Sequence, residues 1–161
     1  MFDVRALIAG LRRPGPRNAF ERGVAALDAG RHARALDEFA AAAAEAAPDD
    51  APAAAAIANK RGVALTALGR RDEALEAFAA ALERDERYAP ALVNVGNVLL
   101  EDGQVRDAID YYDAALRSDP AFAQGYRNLA VALRRLGRRN EAVRALRSAD
   151  RLAVRRGPAR A

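Results

Sequence analysis

Residues 62–82 read GVALTALGRRDEALEAFAAAL, residues 96–116 read GNVLLEDGQVRDAIDYYDAAL and residues 130–150 read AVALRRLGRRNEAVRALRSAD. The three stretches align without a gap, and their central glycines, Gly69, Gly103 and Gly137, stand 34 residues apart. A small residue (Gly62, Gly96, Ala130) precedes each glycine by seven. An alanine (Ala74, Ala108, Ala142) follows by five, a larger apolar residue (Phe78, Tyr112, Leu146) by nine, and a second alanine (Ala81, Ala115, Ala149) by twelve. Apolar residues at helical period on both sides of a glycine describe two antiparallel helices joined by a short turn. Small residues at facing positions let the two backbones approach, and the larger residues fill the space beside them. A unit recurring at this period cannot bury its apolar face alone, so the chain is a stack whose neighbours cover one another.

An earlier copy is visible in residues 23–43, GVAALDAGRHARALDEFAAAA, where Gly23, Gly30, Ala35, Phe39 and Ala42 repeat the pattern and Arg22 stands at a core leucine position. The step from Gly30 to Gly69 is 39 residues. The five extra residues fall near Pro48-Asp49-Asp50-Ala51-Pro52, a turn-rich stretch that tolerates insertion.

This combination resembles the tetratricopeptide repeat family, a helix–turn–helix with a small residue on its first helix, a turn glycine, then Ala, Phe or Tyr, Ala, and often Pro near its end. Gly96, Gly103, Ala108, Tyr112, Ala115 and Pro120 match that pattern in register, while Glu86 and Leu146 depart from it. The resemblance implies an all-α, right-handed superhelical solenoid of about four repeats (about 16–49, 55–88, 89–122 and 123–156), plus a short N-terminal helix. Residues 1–15 are then an amphipathic segment, 16–156 the solenoid and 157–161 a disordered tail.

A chain of 161 residues without cysteine fits one solenoid domain and excludes disulfides and thiolate metal sites. The lone histidine, His32, has no nucleophile or carboxylate at a catalytic spacing, and a solvated position is expected for it. No phosphate-binding glycine loop, metalloprotease motif or calcium loop occurs. The expectation is therefore a protein that is not an enzyme and carries no cofactor or metal. The acid pairs Asp49-Asp50 and Asp72-Glu73 are expected to cap helix starts.

Residues 2–11 place Phe2, Val4, Leu7, Ile8 and Leu11 at roughly helical spacing before Arg12, Arg13 and a Pro-Gly-Pro breaker. The stretch is too short for a bilayer span, and Asp3 and Arg5 interrupt the apolar run that a secretory leader needs. A cytoplasmic location is the default expectation, with the segment lying over the exposed end of the first repeat. A membrane or partner tether through residues 1–13 is the alternative. Charge is uneven: residues 121–161 carry 11 Arg against Glu141 and Asp150, net +9, while residues 1–120 carry 15 basic and 20 acidic side chains, net −5. Asp150 replaces the leucine of Leu82 and Leu116, as an end cap requires.

In proteins of the resembled family the first helices line a concave groove that holds peptides. The residues that this register carries into the groove are Asn59, Lys60, Val93, Asn94, Asn97, Gln124, Arg127, Asn128, Arg134 and Arg135, with Thr66, Leu100 and Glu101 nearby. Lys60, Asn94 and Asn128 share one position, and an asparagine amide offers both a donor and an acceptor to a peptide backbone. The chaperone-clamping members use a fixed set of Lys, Arg and Asn, from which this chain departs at Val24, Val63 and Gln124. The function expected is a scaffold or adaptor that grips a peptide segment of another protein, with an acidic segment favoured by Lys60, Arg127, Arg134 and Arg135. Two alternatives remain: nucleic-acid binding by the basic last third, for which stacking aromatics are few, and self-assembly through the solenoid ends.

Overall fold

The computed structural model describes residues 18–156, which form eight helices and no strand. They are α1 (Ala19–Asp28), α2 (His32–Glu45), α3 (Ala51–Ala67), α4 (Arg71–Arg84), α5 (Ala89–Glu101), α6 (Val105–Ser118), α7 (Ala123–Arg135) and α8 (Arg139–Arg156). The expected N-terminal helix, its tether alternative and the tail lie outside the described residues.

Consecutive helices pack in pairs, and the first helices α1, α3 and α5 each also touch the first helix of the next unit. This is the arrangement of an all-α solenoid, with the first helices gathered along one side.

Four turns join the pairs in one geometry. Gly30, Gly69, Gly103 and Gly137 have φ between 69° and 78°, a left-handed backbone that side chains with a Cβ rarely adopt. At Gly69, its own N–H donates to the Thr66 carbonyl (3.0 Å) and the following Arg70 N–H donates to the Leu65 carbonyl (2.9 Å). This closes the last turn of α3 as a Schellman motif. The same two bonds recur at the other three glycines.

Within each pair the contact is closest where a glycine faces an aromatic ring. A Cβ on Gly23 would lie 2.5 Å from the Phe39 ring, on Gly62 2.4 Å from Phe78, and on Gly96 2.6 Å from Tyr112. The three rings are the largest fully buried side chains among the described residues. The last unit departs from this: Ala130 carries a Cβ there, and Leu146 is 38% exposed rather than filling a closed space. Among the described residues no helix packs on the outer side of α8.

The turn between units survives the loss of proline at Glu86. Asp85 accepts from the Arg87 N–H and Asp119 from the Ala121 N–H, each at 2.9 Å, so the same aspartate-anchored turn forms with Glu86 or with Pro120 in second place. The inserted turn before α3 ends at Asp50, whose carboxylate accepts from the Ala53 N–H at 2.9 Å and caps the helix. Asp72 and Glu73 lie in the first turn of α4, where they favour the helix dipole as expected, but neither caps it, and Glu73 accepts from two guanidinium donors of Arg70. Arg22, at a core leucine position, reaches the Glu38 carboxylate of α2 at 2.7 Å. His32 is half-buried rather than solvated, its Nδ1 out of contact with solvent and without a hydrogen-bond partner among the described residues.

The Gly–ring contact predicts a coupled response. Gly62→Ala overpacks the helix pair and lowers stability by about 1–3 kcal/mol. Adding Phe78→Leu, which recreates the Ala130–Leu146 pairing, recovers part of that loss. Urea unfolding of the single and double variants checks it, since additive losses would show that the two positions do not touch.

Candidate functional site

The side formed by α1, α3, α5 and α7 presents one row of side chains per turn, because helix residues three and four apart share a face. On α5 the row around Gly96 contains Asn94 and Asn97, both half-buried. On α7 it contains Gln124, Arg127, Asn128, Arg134 and Arg135, all exposed except the half-buried Asn128.

The amides of this surface bond first to one another. Gln124 donates to the Asn128 Oδ1 at 2.7 Å, and Asn128 in turn donates to the Asn97 Oδ1 at 2.7 Å. Asn97 Oδ1 also accepts from the Tyr112 hydroxyl at 2.8 Å, which fills both of its lone pairs. The Asn97 NH₂ is thus turned away from the Tyr112 hydroxyl and donates to no group among the described residues. A second, separate bond joins Asn94 to the Asn59 Oδ1 at 2.8 Å. Asn94 and Asn128 share a repeat position, yet Asn94 reaches a residue three before its unit's glycine and Asn128 reaches one directly after it.

Several register-derived residues sit deeper than a ligand-facing row requires. Asn59 is the one buried polar side chain among the described residues, 4% exposed, and Val93 and Leu100 belong to the core. Thr66 is exposed, but its hydroxyl donates back to the Gly62 carbonyl at 2.9 Å. Arg135 donates to the Leu100 carbonyl at 2.6 Å, so it closes the end of α5. From the opposite side Arg71 reaches the same helix end, donating to the Val98 carbonyl and to the Asp102 carboxylate (2.8 Å), with Glu101 at 3.4 Å. Two cations at a helix C-terminus oppose the negative end of its dipole. Lys60, Arg127 and Arg134 form no ion pair among the described residues.

The residue that sequence reasoning used only for packing is Tyr112, whose hydroxyl reaches the Asn97 amide between α5 and α6. The signal was present in the repeat comparison. Phe39 and Phe78 are matched by Val24 and Val63 directly after the glycine, whereas Tyr112 is matched by Asn97.

Burial pushes the Tyr112 hydroxyl up to about 12, with Arg135 pulling it down and Glu101 raising it. A phenol whose folded value lies above its ordinary value of 10.0 is held neutral by the fold. That contribution is complete below pH ~10 and is lost as pH rises through about 12. Unfolding measured between pH 9 and 12 should therefore show a steeper alkaline loss of stability in the wild type than in Tyr112→Phe. Equal slopes would mean that the hydroxyl is not buried against Asn97.

No described helix is long and apolar enough to cross a membrane. A family model described as "Tetratricopeptide repeat" matches residues 4–51, 20–90 and 93–161. Among curated proteins none matches the chain in sequence. Among solved structures the chain is similar to "Crystal structure of MamA" (22% identity, TM-score 0.67, covering 86% of this chain and 78% of that one). It is similar also to "MamA MSR-1 C2" (20% identity, TM-score 0.60, 94% and 86%). A third likeness is "Second TPR of Spaghetti (RPAP3) bound to HSP90 peptide SRMEEVD" (20% identity, TM-score 0.58, 62% and 92%). At these identities the likeness is one of fold. The 34-residue period, four identical glycine turns, the glycine–ring contacts and the match along the chain agree, and the protein belongs to the tetratricopeptide repeat family.

Proposed function

We propose that this protein is a non-enzymatic interaction scaffold that holds an acidic peptide segment of another protein along α5 and α7. The observation that carries the reading is the state of the surface's polar groups. Arg127 and Arg134 are exposed without an ion pair among the described residues, and beside them the Asn97 NH₂ is held by the Tyr112–Asn97–Asn128 network with its donors unspent. Donors and cations without acceptors suit a ligand that brings carbonyls and carboxylates. Preorganisation by the network lowers the entropy lost on binding. The peptide named in the RPAP3 structure contains Glu-Glu-Val-Asp, so a solenoid of this fold accepts an acidic ligand there. The function expected here differs in detail, because Gln124, Val24 and Val63 stand where the clamping members place other groups.

Labelled acidic, neutral and basic peptides of equal length, titrated against the full chain by fluorescence anisotropy, test it. The acidic set should bind, and binding should weaken as salt rises. Arg127→Ala with Arg134→Ala should reduce affinity about tenfold or more while the circular dichroism melt is unchanged. Equal binding of all three sets, or no change in the double variant, would remove the acidic-groove reading.

A further inference from the structure

The outer face of α8 reproduces a face of α4 that already holds a helix in this molecule. On α4 that face is Arg71, Leu75, Phe78 and Leu82, and on α8 the same repeat positions are Arg139, Val143, Leu146 and Asp150. Against α4 lies α5, running antiparallel. Leu75 and Phe78 pack with Val95, Val98 and Leu99, while Leu82 also joins the cluster holding Ala89 and Leu92 at the start of α5. Arg71 meets the far end of α5, where it binds the Val98 carbonyl and the carboxylates of Asp102 and Glu101. On α8 the corresponding groups are uncovered. Val143 is 46% and Leu146 38% exposed, and Arg139 is exposed with no ion pair among the described residues.

From this we infer that the outer face of α8 is a docking surface for an amphipathic helix of a partner protein, antiparallel to α8 and ending in acidic residues. The apolar residues of that helix repeat the spacing of Leu92, Val95, Val98 and Leu99 and lie on Val143 and Leu146. Its C-terminal carbonyls and carboxylates meet Arg139, as those of α5 meet Arg71. Asp150 replaces Leu82 at the other end and so faces the positive N-terminus of the incoming helix. The two charges of the α8 face thus match both ends of a helix dipole in the antiparallel sense. End capping alone explains the polar Asp150 but leaves Val143 and Leu146 exposed and Arg139 without an acceptor.

The first helix of a second copy matches the face less well. In α1 the positions of Val95 and Val98 are Arg22 and Ala25, so the apolar ridge that would lie on Val143 and Leu146 is missing, and of the two acidic positions Glu101 and Asp102 only the first keeps a carboxylate, as Asp28. Nor does the amphipathic stretch of residues 2–11 fit, since Arg12 and Arg13 follow it where acidic groups are needed.

The probe is the helix that the α4 face already selects. A fluorescein-labelled peptide of residues 89–103, APALVNVGNVLLEDG, is held helical by a side-chain crosslink on the face away from Val95 and Val98. Titrated with the full 161-residue chain, it should bind saturably. Val143→Asp should abolish binding, and Arg139→Glu should weaken it about tenfold. A peptide with Glu101→Lys and Asp102→Lys should regain affinity for the Arg139→Glu chain while losing it for the wild type. The Arg127→Ala, Arg134→Ala chain should bind as the wild type does, which separates this surface from the groove. Absence of saturable binding, binding that survives Val143→Asp, or loss only in the groove variant overturns the inference. So does sedimentation showing that the chain self-associates and that Val143→Asp abolishes the association, because the occupant would then be a second copy.

Discussion

The contact on which the rest of the structure depends is an aromatic ring laid on a glycine. With Phe39 on Gly23, Phe78 on Gly62 and Tyr112 on Gly96, any Cβ would fall within 2.6 Å of ring carbon, far inside van der Waals contact. The helices of a pair can therefore come together in one register only. That register sets which residues of the first helix turn toward the ring, which toward the next unit and which toward the open side. The left-handed turn glycines set where the second helix begins, so the ring arrives over the glycine without adjustment. Burying a large ring against backbone contributes area without demanding another large side chain opposite, which is why a chain so rich in alanine still has a core.

Much of this was legible in the sequence, because contacts within a unit depend on spacing alone. The 34-residue period gave the helix pairs, the glycine turns and the ring positions. The missing proline at Glu86, by contrast, read only as a departure, and the structure shows that Asp85 anchors the turn there as Asp119 does beside Pro120. What escaped was set by contacts between units, which depend on the angle at which one unit follows another. Asn94 and Asn128 are equivalent by spacing, yet one bonds a residue before the preceding unit's glycine and the other a residue after it. Asn59 and Val93 share a position with Arg127, and Leu100 with Arg134, yet the first three are buried and the two arginines exposed, a difference that spacing alone does not show. Arg135, read as ligand-facing, spends its guanidinium on the Leu100 carbonyl of the preceding unit.

The end of α5 shows how neighbouring units are tied. Arg71 comes from the preceding unit and Arg135 from the following one, and both donate to carbonyls that the last turn of α5 leaves partly free. Glu101 and Asp102 add carboxylates to the same spot, so Arg71 is held by charge as well as by hydrogen bonds. In a solenoid, stability is roughly a sum of unit terms and nearest-neighbour terms. Here much of the polar share of the neighbour term lies at one helix end, which joins three units, and the amide network from Gln124 through Asn128 to Asn97 adds a further tie between the α5–α6 and α7–α8 units.

The first and last units depart from the interior pattern for different physical reasons. At the start, Arg22 occupies a leucine position but stays compatible with a packed pair because Glu38 of the same unit supplies its carboxylate. The substitution is absorbed locally. At the finish the ring becomes Leu146 and the glycine becomes Ala130, so the pair keeps its separation with a smaller residue and an added Cβ. That exchange conserves volume between the helices, but it cannot cover the outward side of α8, where only a further helix would reduce the exposure of Val143 and Leu146. Arg71 finds its acceptors on the unit that follows, whereas Arg139, at the same repeat position of α8, has no ion pair among the described residues. The Val98 carbonyl and the carboxylates of Glu101 and Asp102 that surround Arg71 have no counterpart around Arg139 among the described residues, so the imbalance lies in which acceptors surround the last helix rather than in its packing on α7.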